Sequence, residues 1–180
     1  MFSASKIIFL AFFDMCRLIK RPQDIPVSIN LLTVCIVIYA FLSIFLTSLF
    51  HPVEKAILAG VVEIFLIMIF TLALLQARGK SSRWTQTMTA LTGTSVIISI
   101  ITIPLYFLIG VGDLNELQAN AGQSVGLLLL AALGCWNIVI MSHILRHALE
   151  INFAIALFLA ITYIWIIFSF TSAILPMETN

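Results

Sequence analysis

One acidic residue stands where acids are rare. Glu63 alone interrupts the apolar segment Ala56–Gln76. An ionisable side chain inside a run of membrane length is costly and marks a functional site by default. Counted from the basic end of the segment, Glu63 lies ~13 residues in, roughly 20 Å at 1.5 Å per residue. At that depth other apolar segments carry Ser99 and Thr102, then Asn137, then Thr162 and Tyr163. A protonated Glu63 bonded to Ser99, Asn137 or Tyr163 would satisfy both partners. Two chemistries are open: a packing hydrogen bond between helices, or a relay for protons or cations.

A second set reads H-I-L-R-H-A-L-E and holds His143, His147 and Glu150. Spacings of four and three put all three on nearly one helical face, an acceptable metal-ligand geometry. Only one segment contributes, no HExxH pattern is present, and Arg146 sits among them. The plainer reading is a polar belt whose His and Arg complement a helix C-terminus. The three are a weak metal candidate, and no resident metal or cofactor is expected. Nothing resembles a Ser-His-Asp set, a phosphate loop or a redox CxxC. Cys16, Cys35 and Cys135 are far apart and odd in number. The chain reads as a non-enzyme.

The third set is basic: Lys6, Arg17, Lys20 and Arg21 before the first long apolar run, then Arg78, Lys80 and Arg83 between the second and third. With Trp84 beside them they suit a membrane rim, setting topology and docking anionic lipid or an acidic partner.

What positions these groups must be helices in lipid. The chain has 180 residues, 62% of them hydrophobic and 9% charged, with net charge +1 and mean hydropathy +1.16. That excludes a soluble domain, a disordered tail and a nucleic-acid binder. Four stretches lack Asp, Glu, Lys and Arg: Ile25–Val53, Trp84–Gly112, Leu117–Leu145 and Ile151–Met177. A spanning helix needs about 20 apolar residues, so each holds one. With the Glu63 segment this gives an all-α, polytopic bundle of five spans, near 31–50, 56–76, 88–109, 125–145 and 151–175. Eight of nine bases fall on one side of that arrangement. The N-terminus is therefore expected in the cytoplasm and the C-terminus outside.

Residues 1–24 are expected to form an amphipathic helix and turn at the cytoplasmic interface. Ser3, Lys6, Asp14, Arg17 and Arg21 would share one face, and Phe2, Ile8, Phe9, Phe12, Met15 and Ile19 the rest. Residues 25–180 are the bundle. Asp24 is expected to cap the helix starting near Pro26. Small residues (Ala56 with Gly60, Gly122 with Gly126, and Ala131, Ala132 and Gly134) allow close helix approach. Five threonines at the entry to span three, alternating around Gly93, can bond back to their own helix or across.

The layout resembles the bacterial branch of the Yip1 domain family. A basic segment leads through LIKRPQDIP into span one, with Pro22 after the basic entry. The basic loop GKSSRWTQTMTALTGT, from Arg83 to Thr87 at its polar entry, runs into a span ending near Pro104 in ITIPLYFL. LLAALGCWNIVIMSHILRHALE and a last hydrophobic helix follow. The likeness runs from about Phe12 to Leu175, and the family's glycine-rich element before span three is Gly79 alone here. It implies a five-helix bundle with a cytoplasmic N-terminus and a membrane-organising role.

The expected function is thus a scaffold or accessory subunit of a bacterial inner membrane, binding lipid, a membrane-protein partner or a second copy. The alternative is a small permease or channel using Glu63.

Overall fold

The computed structural model describes residues 2–110 and 121–175. The acids Asp113, Glu116 and Glu178 lie outside the described residues. Six α-helices follow in order: α1 Phe2–Cys16, α2 Ile29–Ser48, α3 Val53–Ala77, α4 Trp84–Ile109, α5 Ala121–Leu149 and α6 Phe153–Ile174. The last five are long and apolar enough to cross a membrane. Their outward faces are apolar too, with Phe41, Leu128, Trp165 and Phe168 all exposed. A surface of that kind suits lipid and not water. The chain has the architecture of a multi-pass membrane protein.

Helix ends follow local rules, not always at the expected residue. Ser28, not Asp24, caps α2: its Oγ accepts from the Leu31 N–H at 3.3 Å. Asp24 instead accepts from the Arg21 N–H at 2.8 Å and closes a 3-10 turn over Pro22–Asp24. Pro26 is the physical reason. It disfavours helical dihedrals at the residue before it, and Ile25 is extended. The helix therefore starts later and takes the next capping side chain.

Three helices close at the same end of the bundle with one device. Ile19 N–H donates to Asp14 O, Lys80 N–H to Leu75 O and Ile151 N–H to Arg146 O. Each bond spans a left-handed residue, respectively Leu18, Gly79 and Glu150. This is the Schellman arrangement, which satisfies carbonyls that the helix leaves free. This end also carries most of the bases and is called the basic end below.

α4 is the central helix. It packs on α2, α5, α3 and α1, while α6 closes the ring against α5 and α3. Its inner stretch is polar in composition yet buried: Thr87, Thr89, Thr92 and Thr94. Each donates its hydroxyl to the carbonyl four residues earlier, at 2.7–2.8 Å. The alternatives left open by the sequence resolve toward bonding back.

Small residues act at two of the expected places. A Cβ on Gly60 would lie 2.7 Å from Ile44 Cγ1, so α2 and α3 meet closely beside buried Ala56. A Cβ on Gly126 would lie 2.9 Å from Ile109 Cγ1. Among the described residues Gly122 and Gly134 meet nothing within 4 Å, and Ala131 and Ala132 are exposed.

α1 differs from the expected interfacial helix. It ends at Cys16, so Arg17 and Arg21 do not extend its polar face. Phe12, Met15 and Cys16 are buried against the bundle, mainly against α4. The ring edge of Phe12 fills the space above Gly93, where an added Cβ would lie 2.3 Å from it. Gly93 is nine residues into α4, roughly 13 Å along its axis. The helix is thus laid against the flank of the bundle, with Ile7, Phe9, Leu10 and Phe13 exposed on its outer side. Trp136 of α5 donates its indole N–H to Cys16 O at 3.0 Å and fastens the end of α1.

Candidate functional site

Two polar places stand out. The first is a chamber of about 130 Å³ in the middle of the bundle. All five long helices line it: Tyr39 from α2, Glu63 from α3, Thr94 and Ser95 from α4, Asn137 from α5 and Tyr163 from α6. Ile67, Leu91, Met141, Ile164 and Ile167 supply its apolar walls. Glu63 is the eleventh residue of α3. It lies ~15 Å from the outer start of that helix and ~21 Å from its basic end, close to the middle of a bilayer.

The partners of Glu63 are not those expected. Tyr39 Oη donates to Oε1, and Ser43 Oγ donates to Oε2 at 2.5 Å. Both donors come from α2, which the short turn before α3 makes the nearest neighbour. Tyr39 and Ser43 are four residues apart on one face of α2. Matching polar residues by depth across α2, as for the other spans, would have found them. Of the residues expected beside Glu63, Asn137 and Tyr163 line the chamber and Ser99 does not. Ser99 is one turn beyond Ser95 on α4. Thr102 and Thr162 bond back to Ile98 O and Phe158 O. Tyr163 is 6% exposed, and its buried hydroxyl has no partner among the described residues.

The second place is the basic end. Its seven expected docking bases divide. Lys20 pairs with Asp14 at 3.6 Å. Lys80 and Arg83 both bind Glu150, Arg83 at 2.8 Å. Arg83 also donates to Ala148 O at 3.3 Å, at the carbonyl end of α5. These three therefore tie loops together. Lys6, Arg17, Arg21 and Arg78 are exposed, as is Arg146, which the expected set omitted. A groove of about 470 Å³ runs between Arg21, Gln23, Asp24, Arg146, His147 and Glu150. Gln23 holds the N-terminal connector onto α5 by donating to His147 O at 2.7 Å.

The metal candidate does not assemble. His143 and His147 stack edge to face with centroids 4.6 Å apart, and His143 Nε2 lies 3.1 Å from Lys20 O. Glu150 turns away at a left-handed residue toward Lys80 and Arg83. No group of three His, Cys, Asp or Glu gathers among the described residues. A helical wheel carried past Leu149 misplaces Glu150, because the helix has already ended.

Hydrogen bonds from Lys80 and then Arg83 hold the Glu150 carboxyl below the usual carboxylate range. A depressed folded-state pKa stabilises above the unfolded value, ~4.3, and that stabilisation is lost as pH falls through the folded value. Acidification should therefore lower Tm of the wild type more than that of Glu150→Gln. The exposed clasp should also weaken in high salt. Equal acid sensitivity of the two proteins would show that the clasp contributes nothing.

Comparison with protein-family models, curated proteins and solved structures finds no match for this chain.

Proposed function

We propose that the chain is a non-enzymatic, multi-pass protein of a bacterial inner membrane that serves as a scaffold or accessory subunit and docks anionic lipid at its basic end. The groove there carries the reading. Arg21 and Arg146 line it, are exposed, and make no ion pair among the described residues. An anionic head group would supply the missing charges. Guanidinium groups suit phosphate because their planar fork donates two parallel hydrogen bonds. The excess of bases at this end supports a cytoplasmic N-terminus and a periplasmic C-terminus. Resemblance to the Yip1 domain family supports the same orientation and a membrane-organising role.

The test is lipid retention. Purified protein in nanodiscs of mixed phosphatidylglycerol and phosphatidylcholine should enrich phosphatidylglycerol around itself. Arg21→Gln with Arg146→Gln should remove most of that enrichment, and salt should reduce it. Unchanged enrichment in the double variant sinks the assignment of this groove. A discrete protein co-purifying at fixed stoichiometry, lost in the same variant, would replace lipid by an acidic partner. The second reading, a small permease, rests on one observation, the chamber around Glu63.

A further inference from the structure

We propose that the central chamber binds one small monovalent cation through the Glu63 carboxylate, with oxygens of Tyr39, Thr94, Asn137 and Tyr163 around it. The proposal stands on the chamber alone and does not depend on lipid docking.

The hydrogen-bond accounting favours a cation. Tyr39 and Ser43 spend their hydroxyl protons on the two oxygens of Glu63. Thr94 spends its own on Ala90 O at 2.8 Å. Tyr39, Glu63 and Thr94 thus offer the chamber lone pairs and no protons. Asn137 adds a side-chain amide and Ser95 a hydroxyl to the lining. A set rich in acceptors is what a hard cation coordinates. Tyr163 supplies the independent sign. Its hydroxyl is buried without a partner among the described residues, in the wall of the same chamber. A buried polar atom left unpaired costs free energy unless something in the cavity meets it.

Charge and size set the class. Glu63 is the sole acid among the described residues that line the chamber. One positive charge makes the site neutral, whereas a divalent ion would leave a net charge deep in a low-dielectric bundle. The volume of about 130 Å³ admits a few waters at ~30 Å³ each, or an ion with part of its shell. A bulky organic cation does not fit.

The experiment uses the full chain in detergent. Melting is followed in sodium, potassium, lithium and choline chlorides at equal ionic strength, and radiolabelled sodium or rubidium measures direct binding. At least one alkali ion should raise Tm saturably where choline does not, with bound ion approaching one per chain. Glu63→Gln should abolish both effects. Tyr163→Phe, which keeps the ring and the charge, should weaken the apparent affinity about tenfold, as loss of a supporting contact at an ion site does. Equal shifts in choline, or alkali binding that survives Glu63→Gln, would overturn the proposal. Should Glu63→Gln fail to fold, Tyr163→Phe decides, and undiminished affinity there overturns it.

Discussion

Replacing Tyr39 by Phe is expected to destabilise the bundle by about 2 kcal/mol, the range for a hydrogen bond to a charged group. An average interhelical hydrogen bond in a membrane protein contributes only about 0.6 kcal/mol. The difference comes from the acceptor. Glu63 lines a chamber in the middle of the bundle, and its two oxygens have two hydroxyl donors, Tyr39 and Ser43. Removing one donor leaves part of a half-buried carboxylate unsatisfied, so the loss includes desolvation already incurred. Ser43→Ala should act in the same direction. Replacing Glu63 as well should remove the reason for the loss. Reversible unfolding of Tyr39→Phe, Glu63→Gln and the double variant forms a cycle, and a coupling near 1–2 kcal/mol is expected. Additive single effects would show that the pair is a contact without energetic consequence.

Enlarging Gly93 should release α1 from the flank of the bundle. The Cβ of any larger residue would fall 2.3 Å from Phe12 Cε1, and Phe12 is itself buried. The ring cannot stay where it is. Overpacking of this kind costs about 1–3 kcal/mol, and Gly93→Val should show it as a lower Tm. The local readout is Cys16, which is buried at the end of α1. With Cys35 and exposed Cys135 replaced by Ser, Gly93→Val should speed thiol labelling of Cys16. Adding Phe12→Ala should restore much of the Tm, because it vacates the space the valine needs. Loss of Tm with no change in Cys16 labelling would mean that α4 itself is perturbed and α1 stays docked.

Much of the architecture is written in composition. Charge-free runs of spanning length announce the long helices, since a backbone in lipid must satisfy its own hydrogen bonds. The exceptional status of Glu63 is equally local, since a lone acid in such a run needs no neighbour to be noticed. The identity of its neighbours is another matter. Helices of uniform apolarity carry almost no periodic mark of which face turns inward, so depth alone cannot choose among Tyr39, Ser43, Ser99, Asn137 and Tyr163. Packing chose: Gly60 lets α2 approach α3, and this proximity gave Glu63 the hydroxyls of Tyr39 and Ser43. The basic end repeats the lesson. Sequence located its charges, but the left-handed turn at Glu150 drew Lys80 and Arg83 inward and broke up the His143–His147–Glu150 face. Sequence by itself determined how many times the chain can cross a membrane and where charge is concentrated, because both depend on the transfer of single segments. Which polar groups meet in the chamber, and which bases remain free, only the tertiary structure decided, because both depend on the rotation of each helix about its own axis.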